Sequence, residues 1–402
     1  QEKQPPSPNA YQAQRDEEEV DEDDDVRRER AAAEMSQPGT FPLLWRRVTK
    51  MFRKAARPAV DNVSLGLGKN TCFGLLGPNG AGKSTLTNLA VGELRASSGA
   101  VFVSGRAVTG SCAAVFRGAD AALCMQSDTA LMCMTARQHL MLLHEVRCAC
   151  SRSEARADVA RVLAEVELTR YADQPVGTLS GGNLRKLSVA AVLLPKTRVL
   201  LLDEPSTGMD PVARRKVWDA VAHKKRGCCV LLTTHSREEA ERMCDTIGIM
   251  AHGQLQCVGS IQHLRNKFNR NYHLHVQLDN AGLQPSLSGG VSGDGVGEDP
   301  LAPLMEQLVG GGDGSSAAAT TKKGEWKVVE VVGAKRTYEL ANVPRMSRVF
   351  EVLEARKEEF HVVSYSLTQA SLDDIFLQLV RREEAKLEQS AAQQEQQKCT
   401  KA

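Results

Sequence analysis

No apolar run in this chain reaches the ~18 residues that a membrane-spanning helix requires; the stretch Leu131–Leu143 is interrupted by Arg137, Gln138 and His139. No signal-type apolar segment follows Gln1 either, so the expectation is a soluble piece, cut from a longer protein. Net charge is nearly absent: 51 basic residues stand against 49 acidic ones, a balance of +2 that creates no global field for a nucleic-acid partner. Among the 11 cysteines there is no C-x-x-C pair and no even spacing. The nearest clusters are Cys148/Cys150 and Cys228/Cys229, which reads as reduced, mostly buried thiols of a cytosolic compartment. No sequence repeat is present.

What is there is enough chain for one large domain and a small one: 402 residues, 42% of them hydrophobic. Residues 1–40 read as a disordered acidic linker, because nine of the ten residues in Asp16–Asp25 are acidic and such a run repels itself. Residues 41–265 alternate short apolar runs with amphipathic stretches, the pattern of βαβ units on a parallel sheet. Buried strands are expected at Thr71–Leu76, Val199–Leu202, Cys229–Thr233 and Thr246–Met250. Between Arg137 and Leu194 the pattern is helical, with Val159, Val162, Leu163 and Val166 on one face. A small α/β domain is expected over 266–380, with a flexible Gly/Ser-rich insertion at 279–324. Its elements are strands at Tyr272–Leu278, Trp326–Val332, Tyr338–Leu340 and His361–Leu367, a helix at Met346–Glu359 and a final helix from Asp373 to Val380. On the helix Met346–Glu359, the stripe Met346, Val349, Phe350 and Leu353 needs a sheet to cover it. Residues 381–402 form a polar, Gln-rich tail.

Three short motifs carry chemistry. Gly77-Pro78-Asn79-Gly80-Ala81-Gly82-Lys83-Ser84 fits G-x-x-x-x-G-K-[ST], follows a predicted strand and opens a predicted helix. Glycines let the backbone curl so that N–H groups converge on phosphate oxygens. The helix N-terminus adds its dipole, Lys83 a point charge and Ser84 a hydroxyl for Mg²⁺. Val199–Leu202 ends in Asp203 and Glu204. A buried strand would deliver Asp203 beside the loop as a metal ligand and Glu204 at its tip as acceptor of a proton from attacking water. Leu179-Ser180-Gly181-Gly182-Asn183 opens another helix and forms a second anion site, sensible only if it faces a γ-phosphate held by another copy of the domain.

This set resembles the nucleotide-binding domain of ATP-binding cassette proteins, with Gly77–Ser84 like the phosphate loop, Leu179–Asn183 like the signature and Val199–Glu204 like the strand that ends in the catalytic glutamate. The resemblance implies a P-loop α/β core with a helical subdomain, Mg²⁺ and ATP as bound species, and ATP hydrolysis. It places Thr85 beside Ser84 in the phosphate site and makes Gln126 similar to the loop glutamine that senses Mg²⁺ and touches membrane domains. Ser206–Asp210 resembles the loop that communicates across the cassette dimer, and His235 the switch histidine at the γ-phosphate. Phe52 lies where the family has an aromatic that stacks on adenine; Trp45 competes for that role, and Phe52 can equally be a core residue.

The stretches Phe73–Lys83, Leu179–Ser188 and Gln256–Ser260 look like the A subfamily of full-length, lipid-associated transporters. Asp25–Arg30 resembles the segment before the second cassette there, and the portion ending in Leu372–Leu377 its small regulatory domain. Departures are Ser84 in place of the commoner threonine, Leu184 in place of a basic residue, and an Ala- and Cys-rich approach to Gln126. The implied partners are a second cassette and transmembrane domains, with the cassette on the cytoplasmic face of a membrane and no nucleic acid. Alternatives are a soluble cassette ATPase acting on ribosomes or DNA, which would carry two cassettes in one chain or long coiled coils, and a non-catalytic ATP-binding regulator, against which the intact catalytic positions count.

Overall fold

The computed structural model describes residues 23–53, 55, 57–110, 115, 120–148, 150–194, 196–268, 271–279, 301–309, 326–341 and 346–369. The chain divides into two compact units, one holding residues 1–261 and 379–402, the other residues 262–378. In chain order, the described elements of the first are α1 (Asp24–Met35), β1 (Leu43–Lys50), β2 (Val60–Leu67), β3 (Cys72–Leu76), α2 (Lys83–Val91), β4 (Ser98–Val103), β5 (Arg106–Ala107), β6 (Ala121–Cys124), α3 (Ala136–Arg147), α4 (Arg152–Glu165), α5 (Gly181–Leu193), β7 (Val199–Asp203), α6 (Pro211–Lys225), β8 (Cys229–Thr233), α7 (Arg237–Met243), β9 (Thr246–Ala251) and β10 (Gln254–Gly259).

A six-stranded sheet of order β10-β9-β3-β8-β7-β6 forms the centre of this unit. Its strands are parallel except for β10, which closes one edge antiparallel to β9. Every residue of β3, β7 and β8 is buried. Such strands are covered on both faces and read as continuous apolar runs, which is why alternation is missing from them. A second, antiparallel sheet of order β2-β1-β4-β5 packs into the same apolar core, where Leu43, Trp45, Val63 and Leu65 meet Leu75, Leu86 and Leu231.

The helical stretch resolves into α3, α4 and α5. Each of the first two begins with a reciprocal cap: Thr135 with Gln138, and Ser151 with Glu154. Each pairing satisfies two backbone donors that a helix start leaves open. Val159, Val162, Leu163 and Val166 are all buried, as their spacing requires.

Two expectations need correction. The acidic run does not continue as a disordered linker to residue 40, because Asp24–Met35 is a helix. Asp23 caps it through the Asp25 amide, and Asp24 and Asp25 in the first turn oppose the positive end of the helix dipole. Val26 and Ala33 are buried, and Glu34 bonds Arg47 at 2.6 Å and Ser64 at 3.1 Å, so the helix is tied to the antiparallel sheet. Residues 1–22 lie outside the described residues.

The other correction concerns the second unit. Helix α8 (Ile261–Phe268) begins at its boundary, and β11 (Asn271–Leu278), α9 (Ala302–Val309), β12 (Trp326–Val332), β13 (Lys335–Ala341), α10 (Met346–Ala355) and β14 (Val362–Gln369) follow. The strands form an antiparallel sheet of order β12-β13-β11-β14. Within the stretch expected to be a flexible insertion stands α9, whose Leu304, Met305 and Leu308 are buried in one core with Leu274, Tyr338, Val349 and Leu353. The Gly and Ser flanks mask a short helix whose apolar residues recur at i, i+1 and i+4. Phe350 departs from the predicted stripe: it is 42% exposed and rests against Tyr365. Residues 280–300 and 310–324 of the expected insertion, residue 325, the predicted helix Asp373–Val380 and the tail 381–402 lie outside the described residues.

Candidate functional site

The site lies where β3, β7 and β8 end. From Leu76 the chain turns through Gly77–Gly82 and enters α2 at Lys83. Gly82 has a φ of 103°, and a side-chain carbon there would collide with the Ala59 carbonyl oxygen and come within 2.9 Å of Met250 Cε. Only glycine meets both conditions. The buried Lys83 ammonium folds back over the loop and donates to the carbonyls of Gly77 at 2.7 Å and Pro78 at 3.0 Å. Burial pushes its pKa below the ordinary lysine value, while the Glu204 and Asp203 carboxylates act against that shift. Ser84 is exposed at the start of α2, beside Thr85, and its hydroxyl makes no hydrogen bond among the described residues.

Asp203 is the last residue of β7, paired in register with Thr233, whose hydroxyl donates to its carboxylate. Glu204 follows with a φ of 48°, a left-handed conformation that is uncommon for a residue with a side chain. Its carboxylate is held from both sides. His235 Nδ1 stands 3.2 Å from Oε1, and Gln126 Nε2 and Thr207 Oγ1 reach Oε2 at 3.4 and 3.3 Å. The structure thus brings together the three residues singled out as catalytic, Gln126, Glu204 and His235, from three different strand ends.

Ser180 is exposed and caps α5 by accepting from the Asn183 amide at 3.4 Å. Gly181 has open space around it, and the nearest atom to a side-chain carbon on Gly182 is the Gly208 carbonyl oxygen at 3.7 Å. Asp210 is engaged elsewhere: its carboxylate caps α6 through the amides of Val212 and Ala213. Trp45, the competitor for adenine stacking, is fully buried in the core, whereas Phe52 is 41% exposed with the Lys50 ammonium 5.3 Å above its ring. The Phe52 segment returns to the phosphate loop, because Ala59 bonds back to Lys50 and its carbonyl abuts Gly82.

Arg185 was not among the residues singled out from sequence. It is buried on α5, and its guanidinium bonds backbone carbonyls on either side of the site. The signal available was a charged residue on the same helix face as Val189 and Val192, at i, i+4 and i+7, both of them buried.

Oxygen donors of three kinds, the Ser84 hydroxyl at the start of α2, the Asp203 carboxylate at the end of β7 and the Gln126 amide after β6, suit Mg²⁺, which prefers hard ligands and takes much of its shell from phosphates and water. Among the described residues, no group of three or more His, Cys, Asp or Glu could hold a metal ion. Ser84, Asp203 and Gln126 fit a Mg²⁺ brought in with nucleotide.

A parallel sheet with a glycine-rich loop running into a helix, an acidic strand end beside it and a second glycine-led helix start define a cassette-type P-loop nucleotide-binding protein. The chain belongs to the ATP-binding cassette family: residues 60–207 match the ABC transporter family, and the whole resembles its A subfamily. It is 34% identical over 360 residues to the human phospholipid-transporting ATPase ABCA7, covering 89% of this chain and 15% of that protein. It is 32% identical to the human retinal-specific phospholipid-transporting ATPase ABCA4 over 90% of this chain and 15% of that protein, and 34% identical to human ABCA3 over 89% and 20%. The chain thus spans a fifth or less of these relatives' lengths. Among solved structures, the ATP-binding subunit of an ABC transporter aligns with a TM-score of 0.52 at 24% identity, covering 56% of this chain and 92% of the other. A dimeric cassette in a post-hydrolysis state bound to ADP and Pi aligns with a TM-score of 0.50 at 22% identity, covering 54% and 98%. These two show the fold.

Proposed function

We propose that this chain binds Mg²⁺-ATP at Gly77–Thr85 and hydrolyses it as one cassette of a transporter. The observation that carries this reading is the double hold on the Glu204 carboxylate by His235 and Gln126, beside the Lys83 ammonium. The loop amides and the α2 N-terminus bind the phosphates, and Lys83 leaves its two carbonyl partners to neutralise them. Ser84, Asp203 and Gln126 would hold Mg²⁺, which would neutralise charge on the phosphate oxygens. Glu204 accepts the proton of the attacking water, and His235 and Gln126 aim its carboxylate. Phe52 is the exposed aromatic for the adenine ring.

Ser180 and the open amides at Gly181 and Gly182 make a second anion site on the same chain. In this reading it covers the nucleotide of a second cassette, with Asp210 and its loop at the contact between the two. Closing and opening of the pair moves transmembrane domains at the cytoplasmic face of a membrane. The names of the relatives support a lipid cargo, and the likeness of Asp25–Arg30 to the segment before a second cassette supports that position in a full-length transporter, with residues 262–378 as its regulatory module. Among the described residues no helix is long and apolar enough to cross a membrane.

Hydrolysis by the purified chain with Mg²⁺ should rise faster than linearly with protein concentration, because each complete site needs Lys83 from one copy and Ser180 from another. A strictly linear rate, measured below the dimerisation constant, would place the complete site within one chain.

A further inference from the structure

The guanidinium of Arg185 is the most heavily bonded side chain of the site, and the hydrolysis reading assigns it no task. Nε donates to the Pro205 carbonyl at 3.2 Å, and Nη2 to the carbonyls of Asp203 at 2.7 Å and Glu204 at 2.8 Å. Nη1 turns the other way, to the carbonyls of Met125 at 2.5 Å and Gln126 at 3.2 Å and to Asp128 Oδ1 at 3.1 Å. Six acceptors surround the five N–H donors of one planar group, so every donor is engaged and one is shared. The acceptors belong to two segments that do not touch in sequence, the turn after β7 and the loop after β6. Asp128 supplies the opposing charge and is itself tied to α5 by the Ser188 hydroxyl at 2.7 Å.

The Glu204 backbone explains what this accomplishes. A left-handed conformation on a non-glycine residue is strained and persists only where surrounding contacts over-determine it. Three bonds do so here: the Glu204 amide donates to the Thr233 carbonyl at 3.0 Å, and its carbonyl accepts from Arg185 at 2.8 Å and from the Thr207 amide at 3.3 Å, the guanidinium being the one donor from outside the sheet and its own turn. The same guanidinium holds the Gln126 carbonyl, and Gln126 is the residue whose amide meets the Glu204 carboxylate. A lysine cannot replace it, because one ammonium lacks the rigid fork that serves two loops at once.

We propose that Arg185 is a positioning residue for hydrolysis, which clamps the Glu204 turn and the Gln126 loop to the helix begun by Ser180 and so holds the Glu204 carboxylate in its working orientation. This rests on the hydrolysis reading above, and its test separates the two. In Arg185→Met, backbone amides of 125–128 and of Glu204, Ser206 and Thr207 should exchange hydrogen together at least about tenfold faster, with those of α2 unchanged. ATP turnover should fall about 10- to 100-fold in kcat while KM and the affinity for a fluorescent ATP analogue stay within about threefold, the pattern of a lost transition-state arrangement. Arg185→Lys should recover less than about a third of the lost kcat. Should Arg185→Met not fold, Asp128→Asn keeps the guanidinium and all its carbonyl bonds while removing its countercharge, and should give the same exchange pattern and kcat-selective loss at smaller size. Unchanged exchange in the two segments, a loss confined to nucleotide affinity, or full recovery by lysine overturns the proposal. If the unaltered chain hydrolyses no ATP, the hydrolysis reading fails, and the exchange measurement still decides whether Arg185 is the clamp.

Discussion

His235 Nδ1 stands 3.2 Å from Glu204 Oε1, so two neighbouring strand–loop junctions are joined through the carboxylate proposed to take a proton from water. Glu204→Gln keeps the shape of that side chain and loses its basicity. Turnover should fall about 10²- to 10⁴-fold, the usual effect of removing a general base. Nucleotide affinity should stay near that of the unaltered chain, and the variant should accumulate as an ATP-bound dimer on size-exclusion chromatography. Unaltered turnover would remove Glu204 from the reaction.

Lys83→Ala should weaken binding of ATP rather than its turnover alone. The ammonium makes charge-assisted bonds in a partly closed site, and losing one such bond costs about 1.5–3 kcal/mol, or about 10- to 100-fold in Kd. Equilibrium titration with a fluorescent ATP analogue measures this. An unchanged Kd would reject Lys83 as the phosphate ligand.

The helix α9 carries a stability prediction that its Gly- and Ser-rich flanks conceal. Leu304 is 1% exposed in the core of the second unit, and Leu304→Ala should cost about 2–5 kcal/mol there. Urea unfolding followed by the Trp326 fluorescence reads this unit, since Trp326 packs edge-on against Tyr338 of the same core. Replacing all of 281–322 by a short linker should therefore destabilise the unit, and a fully stable product would show that α9 is dispensable to it.

His139 is buried on α3, its Nδ1 has no hydrogen-bond partner among the described residues, and burial holds its pKa below the ordinary 6.5. With the folded value depressed, the unfolded chain binds the proton first, so stability is full above about pH 6.5 and declines as the pH falls below it. His139→Leu should flatten this decline between pH 7 and pH 5 in urea unfolding. Equal slopes for the two proteins would assign the acid sensitivity to other groups.

Much of the first unit was legible because its signals are local. Continuous apolar runs at β3, β7, β8 and β9 mark strands buried on both faces, and a glycine-rich turn between strand and helix has few other uses. The helix Asp24–Met35 was hidden because its charge pattern is that of a solvated linker. The buried residues that hold it, Val26 and Ala33, are too few to give a period in so polar a sequence. The helix α9 was hidden because a short apolar segment among glycines is read by its surroundings, and its value lies in the Leu274 and Tyr338 side chains that it covers.

Sequence by itself determined which residues are candidates for chemistry: the lysine at a phosphate loop, the paired carboxylates at a strand end, the serine opening a second glycine-led helix. These follow from residue type and near-neighbour spacing, which constrain the backbone over a few residues. What only the tertiary structure decided is how those residues meet: that Glu204 takes a left-handed backbone, that His235 and Gln126 hold its carboxylate between them, and that Arg185 fastens both loops to α5. Each of these contacts joins residues far apart in the chain. A buried guanidinium finds its acceptors only when separate strand ends are brought within about 3 Å by the packing of the sheet, and no local pattern encodes that distance.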